Sequence, residues 1–185
     1  KSGFNGVRNN KEVYLLLSRY DTDLSDHLVE LIDLRTFKIL HTWNPNIESF
    51  KKSIIKNENS NEYRLEELFR LRHPFLTSDG SIYFLNNRIY KINLDGSLAW
   101  YSNENYFHHS LELDYKQNIW VPGLNNSFSG YKDAIINISI DGRILFEKNM
   151  LELFIENNLD YLVFAIGANF NHHNLDPFHI NDIQP

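Results

Sequence analysis

Cysteine is absent from the 185 residues. That excludes disulfides and thiolate metal sites and leaves the compartment open. No apolar run reaches the roughly 18 residues that a membrane-crossing helix needs. The net charge is −6, spread without long runs, so there is no basic face for nucleic acid. A Gly-rich phosphate loop and a dinucleotide fingerprint are missing, as is the Gly-x-Ser-x-Gly elbow of serine hydrolases. The chain opens at Lys1-Ser2-Gly3-Phe4-Asn5-Gly6 without an initiator Met or signal-peptide pattern, and it stops two residues past Ile183. A processed chain or a fragment is therefore expected.

What is present favours β-structure. The chain is 42% hydrophobic, enough for one sizeable core and a single domain. Its 13 Phe, 10 Tyr and 3 Trp weigh against a helix bundle. Glu12 to Tyr20 is a β-rich apolar run ending in the turn-prone Asp21-Thr22-Asp23. Leu28 to Leu34, a break at Arg35-Thr36, and Lys38 to Trp43 form a hairpin ending on a large aromatic.

That hairpin recurs. Ile89 to Trp100 carries Asp95-Gly96 between two alternating runs, and Ile135 to Phe146 repeats it with Asp141-Gly142. Trp43, Trp100 and Phe146 then fall at equivalent places. Upstream of the last two hairpins lie matching strand pairs, His73 to Phe84 and His108 to Val121. Each unit reads as four antiparallel strands opened by a His-bearing segment, repeating about every 40–50 residues, the size of a propeller blade.

The fold expected is all-β, a partial β-propeller of about three four-stranded antiparallel blades plus the start of a fourth. The blade-like units span roughly 11–45, 71–103 and 106–150, with 172–185 opening the next and 46–70 inserted. The insertion carries Ile47, Phe50, Ile54, Leu65, Leu68 and Phe69 among charges and reads as one or two helical turns. Asn149 is placed to cap a short helix, Met150 to Glu156, that stops at Asn157-Asn158. Residues 122–131, rich in Asn, Ser and Gly, read as a flexible loop.

Two polar clusters stand out. Residues 172–185 hold three imidazoles, two carboxylates and three carboxamides beside a few apolar anchors, and His108-His109-Ser110-Leu111-Glu112-Leu113-Asp114 is a second such group. In a propeller, residues opening each innermost strand collect at one channel mouth. His73, His108 or His109, and His179 hold that place in successive units. The plainer alternative is that each His satisfies a hydrogen bond between blades. His172, His173, Asp176 and His179 could ligate a divalent ion, yet they match no established ligand spacing, and no metal is assigned.

Asp176-Pro177-Phe178-His179-Ile180-Asn181-Asp182-Ile183 resembles the His-x-Asn-Asp segment of the bacterial arylsulfotransferases. His108 to Asp114, followed by Asn118-Ile119-Trp120-Val121, is similar to their His-His blade opening, and Val29 to Trp43 is similar to a blade ending. The resemblance implies a six-bladed propeller with no nucleotide donor or other cofactor. It implies ping-pong transfer of a sulfuryl group from an aryl sulfate to a phenol through a sulfated histidine. It also implies catalytic roles for His109, His179 and Asn181, and substrate contacts from His108, His173 and Asp182. The location implied is periplasmic or secreted, with a homo-oligomer possible. In the family, the sulfated His and a charge-stabilising Arg follow the His-x-Asn-Asp segment, so these 185 residues alone are expected to be inactive. The rival from another class is a non-catalytic propeller that binds a ligand or protein partner.

Overall fold

The computed structural model describes residues 6–50, 52, 69–102, 106–125, 127, 131–167, 178 and 180–185. Among these the chain is mostly strand, in three antiparallel sheets. It divides into two compact units, Lys1–Phe84 with Tyr90–Trp100, and Leu85–Ile89 with Tyr101–Pro185.

The first unit contains β1 (Tyr14–Asp21), β2 (Asp26–Asp33) and β3 (Lys38–Trp43), ordered β1-β2-β3. Central β2 supplies the core residues Leu28, Val29 and Ile32. It also buries Glu30, an expensive step unless the charge is paired. Arg19 on β1 provides the pairing: its Nε and one terminal nitrogen donate to the two Glu30 oxygens at 2.9 and 2.8 Å, and the other terminal nitrogen reaches Asp21 at 2.7 Å. This sheet has three strands rather than the expected four. Residues 6–13 run beside it as coil, touching it through the Asn9 N–H to the Leu34 carbonyl.

The second sheet, β4 (Arg72–Leu76), β5 (Ile82–Leu85), β6 (Ile89–Ile92) and β7 (Leu98–Tyr101), has the expected four strands in sequence order. All four residues of β5 are buried, as expected for a strand covered on both faces. Tyr83 stacks on Phe75 at 4.8 Å, and Phe84 on Tyr90 at 5.3 Å. Phe69 meets Phe84 and Tyr90 edge-on. Within the insertion, residues 47–50 are helical, and Asn46 Oδ1 accepts from the Ser49 N–H at their start; residues 53–68 lie outside the described residues.

The third sheet, in the second unit, is built from β8 (Tyr106–Phe107), β9 (Glu112–Leu113), β10 (Ile119–Leu124), β11 (Asp133–Ile138) and β12 (Ile144–Asn149). Its order is β12-β11-β10-β8, with β9 also pairing β10. The fifth strand arises because the segment opposite β10 is broken in two. Residues 122–124, read from sequence as the start of a loop, continue β10, with Pro122 opposite Ile135 and Leu124 opposite Asp133. Beyond β12 come α1 (Met150–Glu156) and α2 (Asp160–Gly167). Asn149 caps α1 as expected: its Oδ1 accepts from the Leu151 and Glu152 N–H groups at 2.9 and 3.3 Å.

One turn serves four hairpins. Thr77, Asn93, Asp114 and Ser139 each donate N–H to the carbonyl four residues on, and each accepts from the N–H three residues on. The fourth residue of each turn is left-handed: Gly80, Gly96, Gln117 and Gly142. This is a type I turn closed by a bulge, and it explains the recurring Asp-Gly pairs. Trp100 and Phe146 are equivalent, packing on Tyr83 and Trp120 at 6.2 and 5.8 Å. Trp43 departs from that equivalence: it is fully buried at the end of β3, two residues further along, opposite Val29.

Candidate functional site

The break between β8 and β9 positions the histidine pair. Gly123 pairs with Phe107, and Trp120 with Glu112. Only Val121 and Pro122 on β10 therefore face the four residues His108 to Leu111. In an antiparallel ladder a residue's N–H and C=O point to the same side. Pro122 accepts from the His108 N–H at 3.1 Å on the His-bearing side, and as a proline it has no N–H to return. The ladder stops there, and two extra residues bulge out of the sheet.

His109 takes up the bulge with a φ of 65°. This left-handed conformation is unfavourable for a residue with a Cβ and recurs at sites where the surroundings impose it. The His109 ring meets the His108 ring edge-on, with centroids 4.9 Å apart. The His108 ring nitrogens are buried, while both histidines are half-buried as whole residues. His73, the second residue of β4 in the other unit, is also left-handed, with a φ of 46°.

The carboxyl-terminal segment docks beside this bulge. Ser110 Oγ, on a buried residue, donates to Asp182 Oδ1 at 2.8 Å across 72 positions of sequence. Gln184 Nε2 donates to the other oxygen, Asp182 Oδ2, at 3.1 Å. Asn181 is exposed. Phe178 packs against Phe154 of α1 at 4.9 Å and edge-on to Tyr131 at 6.4 Å. The Asn149 carboxamide ties these two supports together, donating from Nδ2 to the Tyr131 carbonyl at 2.7 Å while its Oδ1 caps α1.

Asp114, which closes the His-His cluster, serves the turn instead. It accepts from the Lys116 and Asn118 N–H groups and from the Asn118 carboxamide and Trp120 Nε1. Burial pushes its carboxyl up, but the hydrogen bonds from Asn118, Lys116 and Trp120 together outweigh that and hold it below its ordinary value. A carboxylate so occupied is a structural acceptor.

Of the six site residues expected from the sequence, His108, His109, Asn181 and Asp182 are described, all within the second unit. The Ser110–Asp182 bond joins the two motifs that carry them. His173 and His179 lie outside the described residues, as do His172 and Asp176 of the metal alternative. Among the described residues no group of three His, Cys, Asp or Glu side chains could hold a metal ion, and no helix is long and apolar enough to cross a membrane. Three contributors were not foreseen: Ser110 as a docking donor, Pro122 as the ladder breaker, and the Tyr131–Phe154 seat for Phe178. A proline inside an apolar strand-like run was the available signal for the second.

The two motifs, joined through Ser110 and Asp182 in an all-β unit, agree with one further finding. A profile of the arylsulfotransferase (ASST) family matches residues 80–185, more than half of the 185-residue chain. The chain belongs to that family. The match begins at Gly80, so Val29 to Trp43 lie before it. Comparison with curated proteins gives no match.

Proposed function

We propose that the protein transfers a sulfuryl group from an aryl sulfate to a phenolic acceptor through a histidine, without a nucleotide donor. Family membership supports a sulfotransferase-like function in general. The observation that carries the finer reading is the docking of the His-x-Asn-Asp segment, through Asp182, onto the residue next to His109. On this reading the three sheets are successive blades of a propeller, and residues 172–185 begin the next. The protein works in the periplasm or outside the cell.

The chemistry suits the residue types. In the first half-reaction the bond from sulfur to the aryl oxygen breaks and a bond from sulfur to a histidine nitrogen forms; the departing oxygen takes a proton. In the second, the acceptor oxygen replaces the nitrogen on sulfur and gives up its proton. The transferring group spreads negative charge over its oxygens, so fixed N–H donors from His109, His179 and the Asn181 carboxamide stabilise it. A neutral imidazole also carries the proton to or from the phenol oxygen. His108 and His173 flank the aryl group.

The test is the complete protein offered 4-nitrophenyl sulfate and phenol. Release of 4-nitrophenol matched by formation of phenyl sulfate is expected. His109→Ala, His179→Ala and Asn181→Ala should each lower the rate by about 100-fold or more while leaving the fold intact. Wild-type rates in all three would falsify the assignment.

A further inference from the structure

We infer that Ser110 and Asp182 are positioning residues, a latch that fixes Asn181 relative to His109. Neither contacts substrate on this view, and the inference rests on the sulfuryl-transfer reading above. Three observations carry it. Ser110 and His109 are adjacent, as are Asp182 and Asn181, so one side-chain bond of 2.8 Å ties the two functional positions together. Ser110 is buried, and a hydroxyl in that setting needs its acceptor. Although Asp182 is exposed, both its oxygens are engaged by side chains of the same chain, one by Ser110 and one by Gln184. A carboxylate so held is poorly placed to receive substrate, and its negative charge would repel a sulfate ester.

The geometry also explains why a latch is needed. His109 sits in a bulge with a left-handed backbone, outside the regular ladder between Phe107 and Glu112. The Asn181 segment is not a strand either. Regular sheet bonding therefore fixes neither group with respect to the other. A misplacement of the order of 1 Å costs about 100-fold in rate.

The experiment uses the complete protein with Ser110→Ala, Asp182→Ala, Asp182→Asn and the Ser110→Ala/Asp182→Ala double variant. Transfer from 4-nitrophenyl sulfate to phenol is measured as kcat and KM, and the His109 imidazole resonances are followed by NMR. Each alanine variant should lose about 10- to 100-fold in kcat with KM within about twofold. The double variant should be no worse than the poorer single, because both remove the same bond. Asp182→Asn keeps an acceptor oxygen for Ser110 and should recover most of the rate; it also carries the test if an alanine variant does not fold. A rise in KM at unchanged kcat, or losses that multiply in the double variant, would overturn the latch. If the wild-type protein transfers no sulfuryl group, the functional reading falls and the resonances decide the latch. Shifted His109 signals in the alanine variants with wild-type-like signals in Asp182→Asn support it, and unchanged signals in the alanine variants reject it.

Discussion

The His108 N–H donates to the Pro122 carbonyl at 3.1 Å, and Pro122 has nothing to donate back. This one-sided pair ends the β8–β10 ladder and releases His108 to Leu111 from the sheet. Pro122→Ala restores an N–H on the same side and lets the ladder continue toward His109. The stability change should stay within about 1 kcal/mol, measured by urea unfolding. Sulfuryl transfer by the complete protein should fall by about 10-fold or more as the bulge straightens. An Ala variant with wild-type transfer would show that the bulge is held by other contacts.

Gly123, the next residue, lies where β8 and β11 crowd β10. A Cβ there would stand 2.9 Å from Ile136 Cδ1, 3.1 Å from the Tyr106 carbonyl oxygen and 3.2 Å from Phe107 Cδ1. Ile136 can shift, but the Tyr106 carbonyl belongs to the backbone. Gly123→Ala should destabilise by about 1–3 kcal/mol, as overpacking does, read as a lower urea midpoint at unchanged slope. A midpoint equal to wild type would mean that β8 can retreat without cost.

The repeat was legible because each hairpin carries its own punctuation. Asp95-Gly96 and Asp141-Gly142 mark turns in which a left-handed residue must follow a type I turn, and glycine is the natural occupant. Gln117 does the same job in the β9–β10 turn with no such mark, so that pair had to be inferred from its flanking alternation. The α1 cap was legible for a similar reason: an Asn before an apolar run and two Asn after it are local signals. The docking of Asp182 on Ser110 could not be read this way. A bond spanning 72 positions leaves no local signal; the repeat, which made both segments blade openings, and their likeness to one family pointed to their meeting but not to the residues that join them. Pro122 misled the reading for the opposite reason. Pro-Gly followed by Asn and Ser looks like a loop, yet here Pro122 faces a bulge, one of the few places a strand tolerates it.

Acid should weaken the hairpin turns. Hydrogen bonds from the Thr77, Ser97 and Ser139 hydroxyls are the main reason that the Asp79, Asp95 and Asp141 carboxyls sit below their ordinary value. Backbone N–H groups of Ser81 and Ser97 add to the first two. Because the folded value is the lower one, the unfolded chain takes up these protons first as pH falls. The stabilisation is present above about pH 4 and is lost progressively below it. Urea midpoints should therefore drop between about pH 6 and about pH 3. The Asp79→Asn/Asp95→Asn/Asp141→Asn variant should start lower and lose less over that range. An equally steep loss in the variant would assign the acid sensitivity to other carboxylates.

His109 offers the sharpest separation of function from folding. An L-residue with a side chain costs about 1–2 kcal/mol in the left-handed region, and glycine avoids that cost. His109 holds a φ of 65° all the same. If its side chain serves the reaction, His109→Gly should abolish transfer in the complete protein yet be more stable than His109→Ala by about 1 kcal/mol. It should unfold no earlier than wild type. If the imidazole instead stabilises the fold through its neighbours, both variants should lose stability together and glycine should gain nothing over alanine. Urea unfolding of the three proteins, alongside 4-nitrophenol release, distinguishes these outcomes. A stable, inactive glycine variant would mark His109 as a residue kept in a strained backbone for its chemistry.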